Sequence, residues 1–269
     1  MPVPNFTEGL SPADPNAIIW RFMELWKFRD LVEAGRLYFR RADGLNDDHE
    51  GMPPKQWMCT ALDYNRYDLR DIAKLDHDLG SLAQFRQSYY LNCWHLFDEE
   101  RAAMWAKFGH DGVAIVSTYA LLGAVLEPLA NDRPHLGLVR YGWEHGTRYN
   151  TQRFITTKRL DFATEREVRA ALWLLNTGDG MNRHFDLNNK PHRLPIYEPP
   201  ASLPVGIFRP VDLAALVTEV VVTPNAKPEM LGEIQSLVRK AELSVTVRPS
   251  SLTAFAQFLP TADELRRYQ

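Results

Sequence analysis

Ile18-Ile19-Trp20-Arg21-Phe22-Met23-Glu24-Leu25-Trp26-Lys27-Phe28-Arg29-Asp30-Leu31-Val32-Glu33-Ala34-Gly35-Arg36-Leu37-Tyr38-Phe39 changes its hydrophobic period twice within one stretch. Residues 18–23 are nearly all apolar and predict a short strand. Residues 25–34 then put Leu25, Trp26, Phe28, Leu31 and Val32 at the i, i+3, i+4, i+7 spacing of one helix face. Gly35 supplies a C-terminal stop for that helix, and 37–39 reads as a second strand. The opening is therefore strand, helix, strand.

Outward from this stretch the same alternation continues without a regular rhythm. The first 16 residues carry four prolines and no periodicity, and read as an arm (1–17) preceding the body. The segment 43–51 is dense in turn formers and holds four acidic residues. Residues 62–87 are polar and read as helical. A strand is expected over 89–96, after which Asp98 is expected to cap a helix containing Ala102, Met104, Trp105 and Phe108. Glycines at 109 and 112 break it, and 113–118 is a short apolar run typical of a buried strand, followed by a helix over 119–125. Further strands are expected over 136–143 and 168–175. Six prolines within 191–210 point to an extended connector. The last segment reads as strand 219–223, helix 228–241 and strand 244–248. Interleaved elements lacking a βαβ repeat favour an α+β class, with small mixed or antiparallel sheets and packed helices, over a doubly wound sheet. The final 60 or so residues are few for a core of their own, so 18–269 reads as one domain.

Composition bounds the function classes. The chain has 269 residues, 31 Lys+Arg against 34 Asp+Glu, and 45% apolar residues, as expected of a soluble globular protein. A net charge of −3 excludes a generally basic nucleic-acid coat, although 133–169 holds eight Lys+Arg against four Asp+Glu, which suits an anionic ligand. Two cysteines, Cys59 and Cys93, make neither a disulfide framework nor a Cys-rich zinc site. Apolar runs such as 120–125 fall far short of the roughly 20 residues of a membrane span. No signal peptide is legible, so a cytoplasmic location and no membrane partner are expected.

No G-x-G-x-x-G, P-loop, H-E-x-x-H or G-x-S-x-G motif occurs. Three features remain. Glu165-Arg166-Glu167 precedes an apolar strand, and on an extended chain residues i and i+2 share a face, so both carboxylates can line one cleft. Mutual repulsion and burial would then separate their pKa values into an acid–base group and a charge stabiliser. The bland alternative is a solvated pair flanked by Arg166 and Arg169. Ser117-Thr118 ends the buried run at 113–116, where hydroxyls hold a ligand or, more commonly, cap the next helix. Arg21 lies in an apolar strand and needs a carboxylate, a phosphate or solvent. Asp47, Asp48, His49 and Glu50 offer hard ligands, but their spacing matches no EF-hand and such clusters usually make turns. His95 and His110 lack ligand-like partner spacing. No metal site is expected.

Three stretches together resemble a bacterial family designated domain of unknown function 2971. They run from Ile19-Trp20-Arg21-Phe22-Met23 to Leu45-Asn46-Asp47 and Glu50-Gly51; from Cys93-Trp94-His95-Leu96 through Ala103-Met104-Trp105 to Gly112-Val113-Ala114-Ile115-Val116-Ser117-Thr118; and from Lys158-Arg159 with Phe162 to Glu165-Arg166-Glu167-Val168-Arg169-Ala170. That resemblance implies no activity. A second one does. A strand-borne Arg, a strand ending in Ser-Thr, and Glu-x-Glu before a later strand follow the order of the arginine–serine–glutamate class of ADP-ribosyltransferases. Here Tyr119 stands where that family carries a further serine, and the segment between Arg21 and Ser117 is unusually long.

The resemblance implies a fold of two small sheets around a cleft that takes NAD. It gives Glu167 the nicotinamide ribose and the oxocarbenium-like transition state, and gives Glu165 the acceptor. Arg21 would take the dinucleotide phosphates and Ser117 would fix Glu167 or the ribose, with Thr118 also among the cofactor-binding residues, while Trp94 or Tyr119 would stack on nicotinamide. The expected function is thus ADP-ribosyl transfer from NAD to a protein or nucleic-acid acceptor, or NAD hydrolysis. Two rivals stand beside it. One is a non-catalytic sensor or interaction module of stress or phage defence. The other is a metal-dependent nuclease using Asp47, Glu50, Glu165 and Glu167 with Lys158 near the phosphate.

Overall fold

The computed structural model describes residues 10–45, 86–143, 151–174, 204–224 and 226–252, together with Val3, Asp47, Gly51 and Arg266. In chain order the elements are β1 (Ile18–Glu24), α1 (Leu25–Ala34), β2 (Arg36–Arg41), β3 (Tyr89–Leu96), α2 (Ala102–Phe108), β4 (Gly112–Thr118), α3 (Tyr119–Leu126), β5 (Pro134–Leu138), β6 (Arg140–Tyr141), α4 (Thr151–Ile155), β7 (Thr157–Lys158), β8 (Glu167–Trp173), β9 (Gly206–Pro210), α5 (Leu213–Leu216), β10 (Glu219–Val222), α6 (Pro228–Lys240) and β11 (Thr246–Pro249). The class is mixed α and β, as the interleaved periods predict.

The chain divides into two compact units, each assembled from separated stretches. One holds Met1–Ala13, Leu37–Cys93 and Leu126–Arg209; the other holds Asp14–Arg36, Trp94–Val125 and Pro210–Gln269. The arm belongs to both by sequence: Leu10 bridges Leu138 in the first unit, while Pro15 and Ala17 accept from the Ala120 and Tyr119 amides in the second.

In the second unit the order is β11-β10-β4-β1, with β10 and β11 parallel and the other pairs antiparallel. Trp20, Phe22, Ala114, Val116 and Val221 form one side of this sheet and pack with Met104 and Trp105 of α2. Trp105 meets the Phe22 ring edge-on at 4.9 Å. Ile19, Val113, Ile115, Val220 and Val222 alternate with them and are also fully buried, so both sheet faces are covered. Helix α1 ends as its sequence predicts: Gly35 is left-handed (φ 58°) and its amide donates to Leu31. Gly112 answers a different need, because a Cβ there would sit 1.9 Å from the Met23 carbonyl oxygen of β1.

Glu100 fastens the edge of this unit. Its carboxylate accepts from Trp105 Nε1 at 3.1 Å, Arg248 at 2.7 Å, the Ser251 amide at 3.0 Å and the Ser250 hydroxyl. Arg248 in turn forks onto Glu219 at 2.9 and 3.1 Å, binding β11 to β10 through side chains as well as through the ladder. Burial pushes the Glu100 pKa up, but these donors outweigh it and hold the carboxyl below its ordinary range. Asp98 is not the cap of α2. The helix begins three residues later than that assignment requires, with Arg101 at the N-cap position and no side-chain cap bond.

In the first unit, residues of β2 and β3 pair antiparallel through Arg40↔Leu91 and Arg41↔Tyr90. Strand β8 pairs with β3 and, over five positions from Pro134↔Leu172 to Leu138↔Val168, with β5. The strand expected over 136–143 is two strands. After Val139 the chain leaves β8 and β6 pairs in parallel with β7, through Arg140↔Thr157 and Tyr141↔Lys158. Ala42, Tyr89, Leu91, Ile155 and Ala171 make the core here, with Cys93 and Trp173 packed against it. Most of the helix expected over 62–87 and of the proline-rich 191–210 connector lies outside the described residues.

Candidate functional site

Strand β8 starts with an alternation of polar and apolar side chains although nearly all of it is buried. Glu167 and Arg169, two apart, share a face; Val168 and Ala170 take the other. A buried guanidinium must be fully paired, and Arg169, with no exposed surface, is. Its Nε donates to Glu167 Oε1 at 2.7 Å and a terminal nitrogen to Oε2 at 3.3 Å, a two-pronged contact, and its other nitrogen donates to the Ile155 carbonyl.

Lys158 on β7 completes the group. Its Nζ lies 2.6 Å from Glu167 Oε2 and 3.0 Å from Glu165 Oε2. Its side chain is 13% exposed against 4% for Glu165 and 1% for Glu167, which makes Lys158 the member closest to solvent. The Phe162 ring lies 5.2 Å from the Lys158 nitrogen. Two cations thus face two carboxylates in a buried network whose formal charges cancel.

Cys93 and Tyr141 also contact Glu167. The Cys93 thiol hydrogen-bonds the Glu167 carboxylate, and burial together with that negative charge raises its pKa far above the ordinary thiol value. Tyr141 Oη accepts the Glu167 amide at 2.7 Å. Burial raises the phenol's pKa as well. Burial alone would also raise that of Glu167, but the charges of Arg169 and Lys158 overcome it and keep the carboxyl well below the usual carboxylate range.

The two glutamates meet by a route the sequence reading did not anticipate. Glu165 is not on the strand; it ends a 3-10 turn, Leu160–Glu165, and Arg166 between the two is left-handed (φ 43°). The same-face argument for an extended chain therefore fails, and Lys158 is what brings the carboxylates together. They are also not a solvated surface pair, since Glu165 and Glu167 are 3% and 2% exposed.

The other candidates lie in the second unit. Arg21 on β1 pairs in register with Ile115, and Ser117 with Ile19, so Arg21 and Ser117 share a sheet face. Trp20↔His95 places Trp94 on that same face. Trp94 is fully buried there. The Ser117 hydroxyl donates to the Leu216 carbonyl at 2.5 Å. Thr118 Oγ1 accepts the Leu121 amide at 3.2 Å and caps α3, the commoner role of such a hydroxyl. Tyr119 is 8% exposed at the start of that helix. Glu24 pairs with Lys27. The structure thus assembles the candidates as two groups, Glu165 with Glu167 in one unit and Arg21, Trp94, Ser117, Thr118 and Tyr119 in the other.

Asp47 sits 3.8 Å from Arg159, and Glu50 lies outside the described residues. His95 packs between the rings of Phe22, Phe97 and Phe108. Among the described residues no group of three or more His, Cys, Asp or Glu side chains is placed to hold a metal ion. Among them, too, no helix is long and apolar enough to cross a membrane.

Tyr141, Cys93 and Arg169 were not singled out as site residues by sequence. For Arg169 a signal existed, since Glu-x-Arg on a strand puts opposite charges on one face. For Tyr141 and Cys93, remote in sequence from Glu167, none did. Compared with family models, curated proteins and solved structures, the chain matches none.

Proposed function

We propose that the chain is an NAD-consuming enzyme that transfers ADP-ribose or hydrolyses the nicotinamide–ribose bond, with Glu167 as its principal carboxylate. The observation that carries this reading is the pair of buried glutamates meeting at one ammonium, with Glu167 fixed by Arg169 and kept ionised by its neighbours. Breaking the C1′–N bond sends its electron pair to nicotinamide and leaves positive charge on the ribose. An oriented, permanently ionised carboxylate stabilises that charge. Water or an acceptor hydroxyl then adds to C1′ and gives up its proton, for which Glu165 is the nearby base. Lys158, the rim member, is the cation whose move toward the donor's phosphates uncovers Glu167. The roles of Arg21, Ser117, Thr118, Trp94 and Tyr119 rest on the resemblance to the arginine–serine–glutamate class.

One observation favours the second reading, a non-catalytic module: two cations cancel two carboxylates, a balance that needs no ligand. Nicotinamide release from NAD by the purified chain separates the two. Release lost in Glu167→Gln supports the enzyme, and no release supports the module.

A further inference from the structure

Tyr141 touches Glu167 and lies in register with Lys158, and the function proposed above makes no use of it. Strand β6 fixes its backbone: Arg140 N–H donates to the Thr156 carbonyl at 2.8 Å, and Gly142 N–H to the Lys158 carbonyl at 2.9 Å. The parallel register puts Tyr141 directly beside Lys158, the most exposed member of the charged group. The hydroxyl oxygen is occupied as an acceptor by the Glu167 amide at 2.7 Å. A phenol has one proton to give as well. Among the described residues no group takes that proton, and the ring remains partly exposed. The phenol keeps its proton because burial and the nearby Glu167 and Glu165 charges oppose ionisation.

We infer that Tyr141 is a substrate-positioning residue whose O–H donates to an acceptor oxygen of the bound donor, a ribose hydroxyl oxygen next to the bond that Glu167 acts on. The inference rests on the NAD reading and names a residue of that same site. The Glu167 amide holds the phenol oxygen as an acceptor, and its own proton is the part assigned to the ligand. Loss of one such hydrogen bond to a neutral oxygen corresponds to about tenfold in affinity.

The test is NAD binding by titration calorimetry to the full chain and to its Tyr141→Phe and Lys158→Met variants, with thermal unfolding of each. Tyr141→Phe is expected to bind NAD about tenfold more weakly while unfolding cooperatively near the parent temperature. Equal NAD affinity in the parent chain and Tyr141→Phe overturns the inference and leaves the NAD reading standing. A parent chain that binds no NAD overturns both. Should Tyr141→Phe fail to fold, 3-fluorotyrosine at position 141 replaces it, since a more acidic phenol donates more strongly. Tighter NAD binding then supports the inference, and unchanged binding overturns it.

Discussion

At Arg169 the cost of an unpaired buried charge governs what the site tolerates. The guanidinium has no exposed surface and neutralises Glu167 from 2.7 Å. Replacing it with Met leaves a buried carboxylate with Lys158 as its remaining cation, and should cost about 3–5 kcal/mol. Urea unfolding measures this, and Arg169→Met combined with Glu167→Gln should recover part of the loss. The pH dependence follows from the direction of the Glu167 shift. Its folded pKa is depressed, so in acid the unfolded chain binds more protons than the folded one. The stability it contributes is complete above the unfolded carboxylate value of about 4.3 and is lost as pH falls toward the folded value. Glu167→Gln should therefore unfold with a shallower acid-side slope than the parent between about pH 5 and pH 2, read from urea midpoints.

Among the elements, strand β4 and helix α1 carry the clearest sequence logic. Gly112 admits β1 to within 1.9 Å of where its Cβ would be, at a backbone oxygen that has no room to yield. Gly112→Ala should cost about 3 kcal/mol or more by thermal unfolding, against about 1 kcal/mol for Gly35→Ala at the left-handed stop of α1. Thr118→Ala should cost about 1 kcal/mol through its lost cap on α3. These elements were legible because periodicity and glycine act locally: α1, β3 and β4 match their expected spans almost to the residue. Two elements differ from expectation. The 136–143 strand splits because β5 and β6 pair with different strands, and α2 begins late because Arg101, not Asp98, takes the position before its first turn. The site was half legible. Glu165, Glu167 and Arg169 lie close in sequence, whereas Cys93 on β3 and Tyr141 and Lys158 on the separate β6–β7 pair reach Glu167 only through tertiary contacts.

For the whole molecule, the resemblance to ADP-ribosyltransferases draws on residues of both units, Arg21 of one and Glu167 of the other. An experimental structure with a non-hydrolysable NAD analogue should show Glu167 in contact with the ligand. A ligand bound away from Glu167 would end the proposal. Activity should also be indifferent to chelators, since the chemistry proposed for Glu167 uses its own charge; a divalent-ion requirement would instead favour the nuclease reading.

The most direct measurement is nicotinamide release from NAD by the purified full chain, with and without cell extract as acceptor, and with Glu167→Gln as the control. The parent chain should release nicotinamide, and release should fall at least about a hundredfold in Glu167→Gln, the loss expected when a transition-state charge partner is removed. Release at equal rates from both, or from neither in either condition, would contradict this and reduce Glu167 to the structural partner of Arg169 and Lys158.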